Sequence, residues 1–174
     1  GTGYGSDGAI WGCECLIASL EGFERFGHLA YYKLAGADKA GKEAVRGLLG
    51  LLMKAYGKDF SLDKFSWLLE QIEPDKDRLR IIEQQLEKDI NTIETSSLGR
   101  VFDAVAAMIG LGSYNHFEAQ LPMALEAIAQ ADVKEWRATF WITHPRDSRN
   151  KYTWAAIDQG DPCFRCQLGY LSGL

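Results

Sequence analysis

The spacing of hydrophobic and polar positions predicts a short β-rich opening followed by five helices. Residues 1–20 and 27–34 have the apolar, turn-bounded character of strands. A helix is expected over 35–57, with Gly57 as its C-terminal stop. The apolar residues that recur at helical spacing within it are Leu48, Leu49, Leu52, Met53 and Tyr56.

Two helices are predicted on either side of Pro74. The first covers 61–73, with Ser61 as its N-cap. The second begins at Pro74, because proline lacks an N–H group that the first helical residue does not need. Its expected apolar face consists of Ile82, Leu86 and Ile90.

The last two helices are predicted over 95–112 and 120–130. Gly110 and Gly112 are expected to end the first of them. Its candidate caps are Thr95, Ser96 and Ser97, and its expected buried stripe is Val101, Val105, Met108 and Ile109.

The helical period is lost after about Lys134, where aromatic, arginine and turn residues predominate. We therefore expect a boundary between residues 1–132 and an unassigned C-terminal segment, 133–174. The pattern as a whole predicts a mixed α/β fold that is rich in helix.

Composition and charge argue against several classes of protein. The 174 residues carry a net charge of −5, which argues against the basic footprint of a nucleic-acid-binding protein. The sequence shows neither the ~20 consecutive apolar residues of a membrane span nor a secretory signal. Four cysteines do not make a disulfide scaffold, so a cytoplasmic domain is expected.

The opening GTGYG motif is the first candidate site. Glycine tolerates positive φ and lets a ligand approach the backbone, and consecutive N–H groups in such a turn can hold an anion. A plain hairpin turn is the alternative, because glycine patterns alone are weak indicators of a phosphate site.

Two polar positions follow, one on the predicted helix over 95–112 and one shortly after its end. Asp103 would accept hydrogen bonds from a ribose diol if it lies at the edge of a cleft, and a solvated helix aspartate is the alternative. His116 has no partner at metal-ligand spacing, so a structural or solvent-facing histidine is expected there.

The cysteines offer a third candidate chemistry. Cys163 and Cys166 form a C-x-x-C pair, which is half of a zinc site. Cys13 and Cys15 would complete it if the two ends of the chain met. Four ordinary thiols are the alternative, and a thioredoxin-type motif lacks its strand-then-helix context.

The chain closely resembles the C-terminal portion of the carbamoyltransferases of the hydrogenase maturation factor HypF family. The resemblance covers about residues 1–132 and rests on four segments in one order. They are GTGYGSDGAIWGCE, GFERFGHLAYYKLAGADKAGKEAVR, TSSLGRVFDAVAAMIGL and NHFEAQLPMALEAIA.

The resemblance implies part of a two-lobed, actin-like ATPase domain, shared with the universal tRNA threonylcarbamoyl-transfer proteins. In the family this domain takes carbamoyl-adenylate and passes the carbamoyl group to the C-terminal cysteine of the partner HypE. The group later becomes a cyanide ligand of nickel–iron hydrogenase. ATP and carbamoyl-adenylate are the implied ligands, and no nucleic acid or membrane partner is implied.

The resemblance also explains why the sequence opens on a glycine-rich turn. In the family this turn directly follows an aspartate that helps to hold a divalent metal, and paired histidine ligands lie further upstream. The chain therefore looks like an excised piece that is inactive by itself. A nucleotide-binding or partner-docking subdomain without turnover is the alternative, and a purely structural remnant is a further one.

Site residues are assigned by the same resemblance. The thiolate nucleophile belongs to the partner, so no catalytic residue is assigned in this chain. The implied nucleotide contacts are Gly1, Thr2, Gly3 and Gly5 at the phosphates, Asp103 at the ribose, and Glu118 near the nucleoside.

Other matched positions carry weaker assignments. Asp7 and Glu14 are given structural roles, and Arg46 and Arg100 fit either salt bridges or ligand contacts. The chain departs from the family at three positions. Cys13 and Ala119 each stand where the family usually has glycine, and Phe117 stands where it has tyrosine.

Overall fold

The computed structural model describes residues 3–129, 139–143, 151–155 and 167–169, and within them the fold is mixed α/β. The strands are β1 (Gly3–Tyr4), β2 (Ile10–Trp11), β3 (Glu14–Ala18), β4 (Phe23–Leu29), β5 (Tyr32–Ala35), β6 (Thr92–Thr95), β7 (Thr139–Thr143), β8 (Lys151–Ala155) and β9 (Gln167–Gly169). The helices are α1 (Ala44–Tyr56), α2 (Ser66–Ile72), α3 (Lys76–Glu87), α4 (Leu98–Met108) and α5 (Gln120–Ala129).

The chain divides into two compact units. The first consists of Gly1–Gly12 with Tyr31–Ile128, and the second of Cys13–Ala30 with Ala129–Leu174. One of the division points lies close to the expected boundary at residue 132, but residues 13–30 also leave the first unit. The assignment of the two predicted segments to domains stays a prediction.

The first unit combines a four-stranded sheet, in the order β1-β2-β6-β5, with helices. β2 pairs in parallel with β6, and the other neighbours are antiparallel. Its hydrophobic core is built around α1, in which every residue from Ala44 to Gly50 is buried. Of the predicted stripe, Leu48, Leu49 and Leu52 are buried, whereas Met53 is half-buried and Tyr56 is exposed. The fully buried large residues of this core are Leu48, Leu49, Leu69, Ile82, Leu86 and Leu121.

The second unit contains a five-stranded antiparallel sheet, in the order β3-β4-β7-β8-β9. The β3–β4 hairpin has an irregular register between Cys15 and Leu16. None of the described helices is long and apolar enough to cross a membrane.

Two of the elements predicted before residue 60 differ from those in the structure. The predicted strand 27–34 is two strands, β4 and β5, which belong to different sheets. The helix predicted over 35–57 begins only at Ala44, because Gly36 and Ala37 have φ values of 94° and 47°, which helical residues do not adopt. A short 3₁₀ turn precedes it.

The helices around Pro74 also begin later than predicted. Ser61 does not cap α2; its hydroxyl accepts a hydrogen bond from the Lys64 amide in a 3₁₀ turn. Pro74 precedes α3, whose N-cap is Asp75. Ile90 is exposed and lies beyond the end of α3, and the prediction missed strand β6.

The buried face of α4 is the reverse of the predicted one. Val105, Met108 and Ile109 are exposed, and Val101 is only half-buried. The residues that α4 buries are Asp103, Ala104, Ala106 and Ala107. Small residues face inward because α4 packs closely against α1, where a side chain on Gly47 would lie 3.1 Å from the Arg100 carbonyl oxygen. Helix α5 lies where it was predicted.

Candidate functional site

A cleft of about 780 Å³ opens in the first unit. Its walls are the end of β2, the turn that precedes α1, the N-terminus of α4 and the segment that leads into α5. Its polar lining includes Lys42, Ser97, Arg100, Asn115, His116 and Glu118.

Thr95, Ser96 and Ser97, the T-S-S triplet, form hydrogen bonds that connect the segments at the floor of this cleft. The Thr95 hydroxyl donates to the Ile10 carbonyl oxygen at 2.9 Å, and the Gly12 amide donates to the Ser96 hydroxyl at 3.1 Å. Ser97 caps α4, as predicted, by accepting from the Arg100 amide. A side chain on Gly12 would meet the Ser97 Cα at 2.7 Å, so glycine is required for this close approach.

Asp103 lies behind the cleft wall and is only 1% exposed. Its Oδ1 accepts from Asn115 Nδ2 at 2.9 Å, and its Oδ2 lies 2.6 Å from Arg100 Nε. This second contact is an ion pair, and neither atom has a hydrogen-bond partner among the described residues. The interpretation of Asp103 as a solvated helix residue is therefore wrong.

The environment of Asp103 perturbs its ionisation. Burial raises the pKa of this carboxyl above its ordinary value, and the hydrogen bond from Asn115 and the charge of Arg100 oppose that rise in part. Arg100 is therefore paired with a carboxylate that has almost no contact with water.

Asn115 joins three parts of the cleft. Its Nδ2 also donates to the Gly41 carbonyl oxygen at 3.1 Å, and its Oδ1 accepts from the Leu121 amide at 2.8 Å. Its own amide donates to the Lys42 carbonyl oxygen at 2.8 Å. Sequence reasoning missed this residue, although the NHFEAQ motif places it directly before the histidine that was considered.

Two alanines in the cleft lining have left-handed backbone conformations. Ala37 has a φ of 47° and Ala119 a φ of 60°. Such values disfavour residues with a Cβ, and Ala119 is the position at which the sequence resemblance leads us to expect glycine. Strained backbone of this kind concentrates at functional sites.

His116 and Glu118 are both exposed at the cleft. The exposure of His116 agrees with the expected structural or solvent-facing histidine, and its ring lies 5.0 Å from the Tyr114 ring. Glu118 is accessible to a ligand, but a contact with a nucleoside stays a prediction.

The described part of the glycine-rich opening forms a hairpin. The Gly5 amide donates to the Ala9 carbonyl oxygen at 2.8 Å, and the Trp11 indole fills the space where a Gly5 side chain would lie. These contacts agree with the hairpin alternative. Gly1 and Thr2 lie outside the described residues, and phosphate contacts for Gly3 and Gly5 stay predictions.

The remaining charged candidates make internal contacts. Asp7 accepts from the Trp11 indole N–H at 2.9 Å, and Glu14 lies 4.0 Å from Arg25. Arg46 is buried and pairs with Glu43, which is the salt-bridge interpretation, and its guanidinium also donates to Gln85.

Cys13 and Cys15 lie at the start of β3 and are half-buried. Burial raises the pKa of the Cys13 thiol, and the nearby Cys15 and Glu14 add to that rise. This environment opposes the thiolate that a zinc ligand or nucleophile needs. Cys163 and Cys166 lie outside the described residues. In the part of the chain that the structure describes, no three ligating side chains are grouped to hold a metal ion.

The model of a family described as "Carbamoyltransferase, Kae1-like Domain, second subdomain" matches residues 1–159. The probable carbamoyltransferase HypF of Methanocaldococcus jannaschii is 38% identical over 132 residues, which are 74% of this chain and 16% of that protein. The carbamoyltransferase HypF of Synechocystis sp. is 36% identical over 147 residues, 78% of this chain and 19% of that protein.

Solved structures agree with the sequence matches. A crystal structure of full-length HypF in the phosphate- and nucleotide-bound form superposes with a TM-score of 0.67 at 39% identity. It covers 81% of this chain, which spans 18% of that protein. The crystal structure of T. kodakarensis HypF gives a TM-score of 0.64 at 32% identity, covering 79% of this chain and 19% of that one.

Proposed function

Because the chain belongs to the HypF family of carbamoyltransferases, we propose that its cleft holds part of the nucleotide during carbamoyl transfer. The chain spans less than a fifth of the two relatives described above, so the complete reaction belongs to a longer parent. We further propose that the chain supplies part of one lobe of a two-lobed, actin-like ATPase domain.

The observation that carries this proposal is the composition of the cleft. A capped helix N-terminus, Arg100 and Lys42 all face a space of about 780 Å³. Backbone N–H groups at a helix N-terminus and two basic side chains favour an anion. Glu118 at the same cleft is an acceptor for the hydroxyl groups of a nucleoside.

The proposed reaction is acyl transfer from carbamoyl-adenylate, formed from ATP, to a thiol. The C-terminal cysteine thiolate of HypE attacks the carbamoyl carbon, a C–S bond forms, and the C–O bond to the phosphate breaks. AMP leaves with the bonding electrons. Donors that face the phosphate in this chain stabilise the charge that develops on that leaving group.

A divalent metal would polarise the phosphate and would be held by residues outside this chain. This chain contributes binding and orientation of the nucleotide. No residue of the cleft is proposed to act as the nucleophile, since that group belongs to HypE.

Calorimetric titration of this chain with ATP and with AMP, with and without Mg²⁺, tests the proposal. Saturable binding is expected. Arg100→Gln, which removes a positive charge from the cleft lining, should weaken that binding. The matched control is Arg80→Gln, which removes a positive charge from an exposed pair with Asp77 on α3, outside the cleft lining. It should bind like the unmodified chain. A chain that is folded by circular dichroism and binds neither nucleotide would contradict the proposal.

A docking subdomain without turnover is the second candidate. Its support is the outer face of α4, where Phe102, Met108 and Ile109 are between 41% and 53% exposed. Apolar side chains clustered on one exposed helix face are typical of an interaction surface. This candidate is favoured if HypE binds the chain in the absence of nucleotide.

A further inference from the structure

We propose that a second cavity of the first unit binds a small organic cation, an ammonium group that carries an apolar or aromatic body. This cavity measures about 270 Å³, close to the lower end of the range that is typical of small-molecule sites. It is lined by residues of α1, α3, β5 and β6, and it shares no lining residue with the cleft. The inference is therefore independent of the proposed nucleotide binding.

The uncharged part of the cavity lining is apolar or aromatic. It consists of Tyr31, Tyr32, Gly50, Met53 and Leu86. The Tyr31 hydroxyl donates to Asp7 Oδ2 at 2.5 Å, and the Tyr32 hydroxyl donates to the Ser97 carbonyl oxygen at 2.7 Å. Both donor protons are thus used within the protein. What this part of the lining offers a ligand is apolar surface and aromatic rings, and such rings attract a cation that lies within about 6 Å of their centre.

Glu94 brings a carboxylate to this cavity that has no ion-pair partner in the described part of the chain. Its cross-strand neighbour is Lys33 of β5, so the two side chains share one face of the sheet, and opposite charges in such a position attract each other. Lys33 Nζ nevertheless lies 2.5 Å from Asp89 Oδ1. Because the cation opposite Glu94 is paired elsewhere, the Glu94 carboxylate is available to a ligand.

Glu87 is the second carboxylate of the lining, and it is the last residue of α3. The C-terminal end of a helix carries a partial negative charge, which disfavours a carboxylate there. Glu83 lies one turn earlier, and the charge of Glu87 adds to the burial that raises the pKa of Glu83. Lys88, the next residue, does not line the cavity. A cation bound beside Glu87 would reduce this repulsion.

The charges of the lining favour a cation over an anion. Asp89 neutralises Lys33, so Lys54 alone is left against Glu87 and Glu94, which gives one positive and two negative charges. Lys54 lies in the last turn of α1, where a cation stabilises its own helix. An anion would meet the two carboxylates, whereas an ammonium group would pair with them while its apolar body covers the uncharged lining.

Three probes of similar size separate charge from shape. Benzylammonium is a cation with an aromatic body, benzyl alcohol is its neutral analogue, and benzoate is an anion. Each is titrated into the isotope-labelled unmodified chain, and the backbone amide shifts are followed by NMR. The titrations are repeated with Glu94→Gln, with Glu94→Gln combined with Glu87→Gln, and with Lys54→Gln. The matched control is Glu70→Gln, which removes an exposed carboxylate of α2 outside the cavity lining.

We expect benzylammonium to bind with a dissociation constant of about 1 mM and to shift the amides of Gly50, Met53 and Glu94. Benzyl alcohol should bind about fivefold more weakly, because it lacks the charge-assisted hydrogen bonds, and benzoate should not shift these amides.

The variants should change benzylammonium binding according to the charge that each removes. Glu94→Gln should weaken it about threefold, since a single exposed charge pair contributes little, and the double variant about tenfold. Lys54→Gln should strengthen it about twofold, because a like charge is removed from the lining. Glu70→Gln should leave it unchanged.

Four results would overturn the inference. Equal affinities for benzylammonium and benzyl alcohol would show that the cavity does not select a charge, and tighter binding of benzoate would show the opposite selection. A loss in Glu70→Gln as large as that in Glu94→Gln would show a general effect of surface charge. Titrations in which none of the three named amides shifts would show that the cavity is not a site.

The test also separates this inference from the proposed function, because none of the probes carries a phosphate. A folded chain that binds benzylammonium but neither ATP nor AMP would contradict only the proposed function. A chain that binds nucleotide but not benzylammonium would contradict only the present inference.

Discussion

At the scale of single residues, the properties of the cleft's charged groups are set by their burial and their partners more than by their residue type. Asp103 and Arg100 are three residues apart on α4, and their spacing is compatible with an ion pair on any helix. The sequence could therefore indicate the acidic residue as functional. It could not predict that Asn115, from a later loop, would bury that acid and hold it.

Backbone conformation gives the prediction that belongs to this scale. Ala119 has a φ of 60°, so replacing it with glycine should remove the strain of a Cβ in the left-handed region. We expect Ala119→Gly to raise the free energy of unfolding by about 1 kcal/mol, measured by urea denaturation.

The matched control for this change is Ala127→Gly, the same substitution at an exposed position within α5. It should lower the free energy of unfolding by about 1 kcal/mol, because glycine disfavours helix. A destabilised Ala119→Gly would show that the alanine side chain makes contacts that outweigh the strain.

At the scale of elements, the sequence predicted the existence of the helices better than their faces. The stripe of Val105, Met108 and Ile109 on α4 has helical spacing, but these residues are exposed in the described structure. Periodicity identifies two faces of a helix, and the more apolar one is buried only if the packing distance allows it. Here close contact with α1 selects the alanine face.

Helix α1 also packs closely on a strand. A Cβ on Gly50 would lie 1.9 Å from the backbone carbonyl oxygen of Lys33 in β5, so the helix or the strand would have to move. We expect Gly50→Ala to lower the free energy of unfolding by at least about 2 kcal/mol despite the better helix propensity of alanine.

Gly99→Ala is the matched control for Gly50→Ala. Gly99 lies in the first turn of α4, and a Cβ there would meet only the Ser97 hydroxyl, at 3.8 Å. Its unfolding free energy, measured by the same denaturation, should be unchanged or slightly higher. Equal stabilities of the two variants would mean that β5 shifts to accommodate the added Cβ without lowering the free energy of unfolding.

At the scale of the whole molecule, Glu43 links the stability of the first unit to pH. It pairs with Arg46 of α1 at 2.5 Å and with Arg78 of α3 at 2.6 Å. Burial raises the pKa of Glu43, but the hydrogen bonds and charges of the two arginines outweigh this and place its pKa below the ordinary value of 4.5.

A pKa lowered by folding stabilises the protein above the ordinary pKa, and this contribution is lost as the pH falls through the folded value. Glu43→Gln should therefore be less stable by about 1–2 kcal/mol at pH 7. The difference from the unmodified chain should shrink as the pH falls below 4.5. Denaturation at a series of pH values measures it.

The control is Glu70→Gln, which removes an exposed carboxylate that pairs with Lys76. Exposed pairs contribute little, so its stability should change by less than about 0.5 kcal/mol at any of these pH values. A constant difference between Glu43→Gln and the unmodified chain down to the lowest pH would contradict the assignment.

The parallel pairing of β2 with β6 also decides when the cleft can form. Ile10 and Thr95 are 85 residues apart, and the bridge between them holds the T-S-S triplet in place. Contacts this distant in sequence form slowly, because the intervening chain must first be ordered. During synthesis α1, α2 and α3 would be available to fold before the floor of the cleft exists. We therefore expect the site to form late in folding, so that a ligand added to a refolding chain would meet the helices first and its own binding groups last.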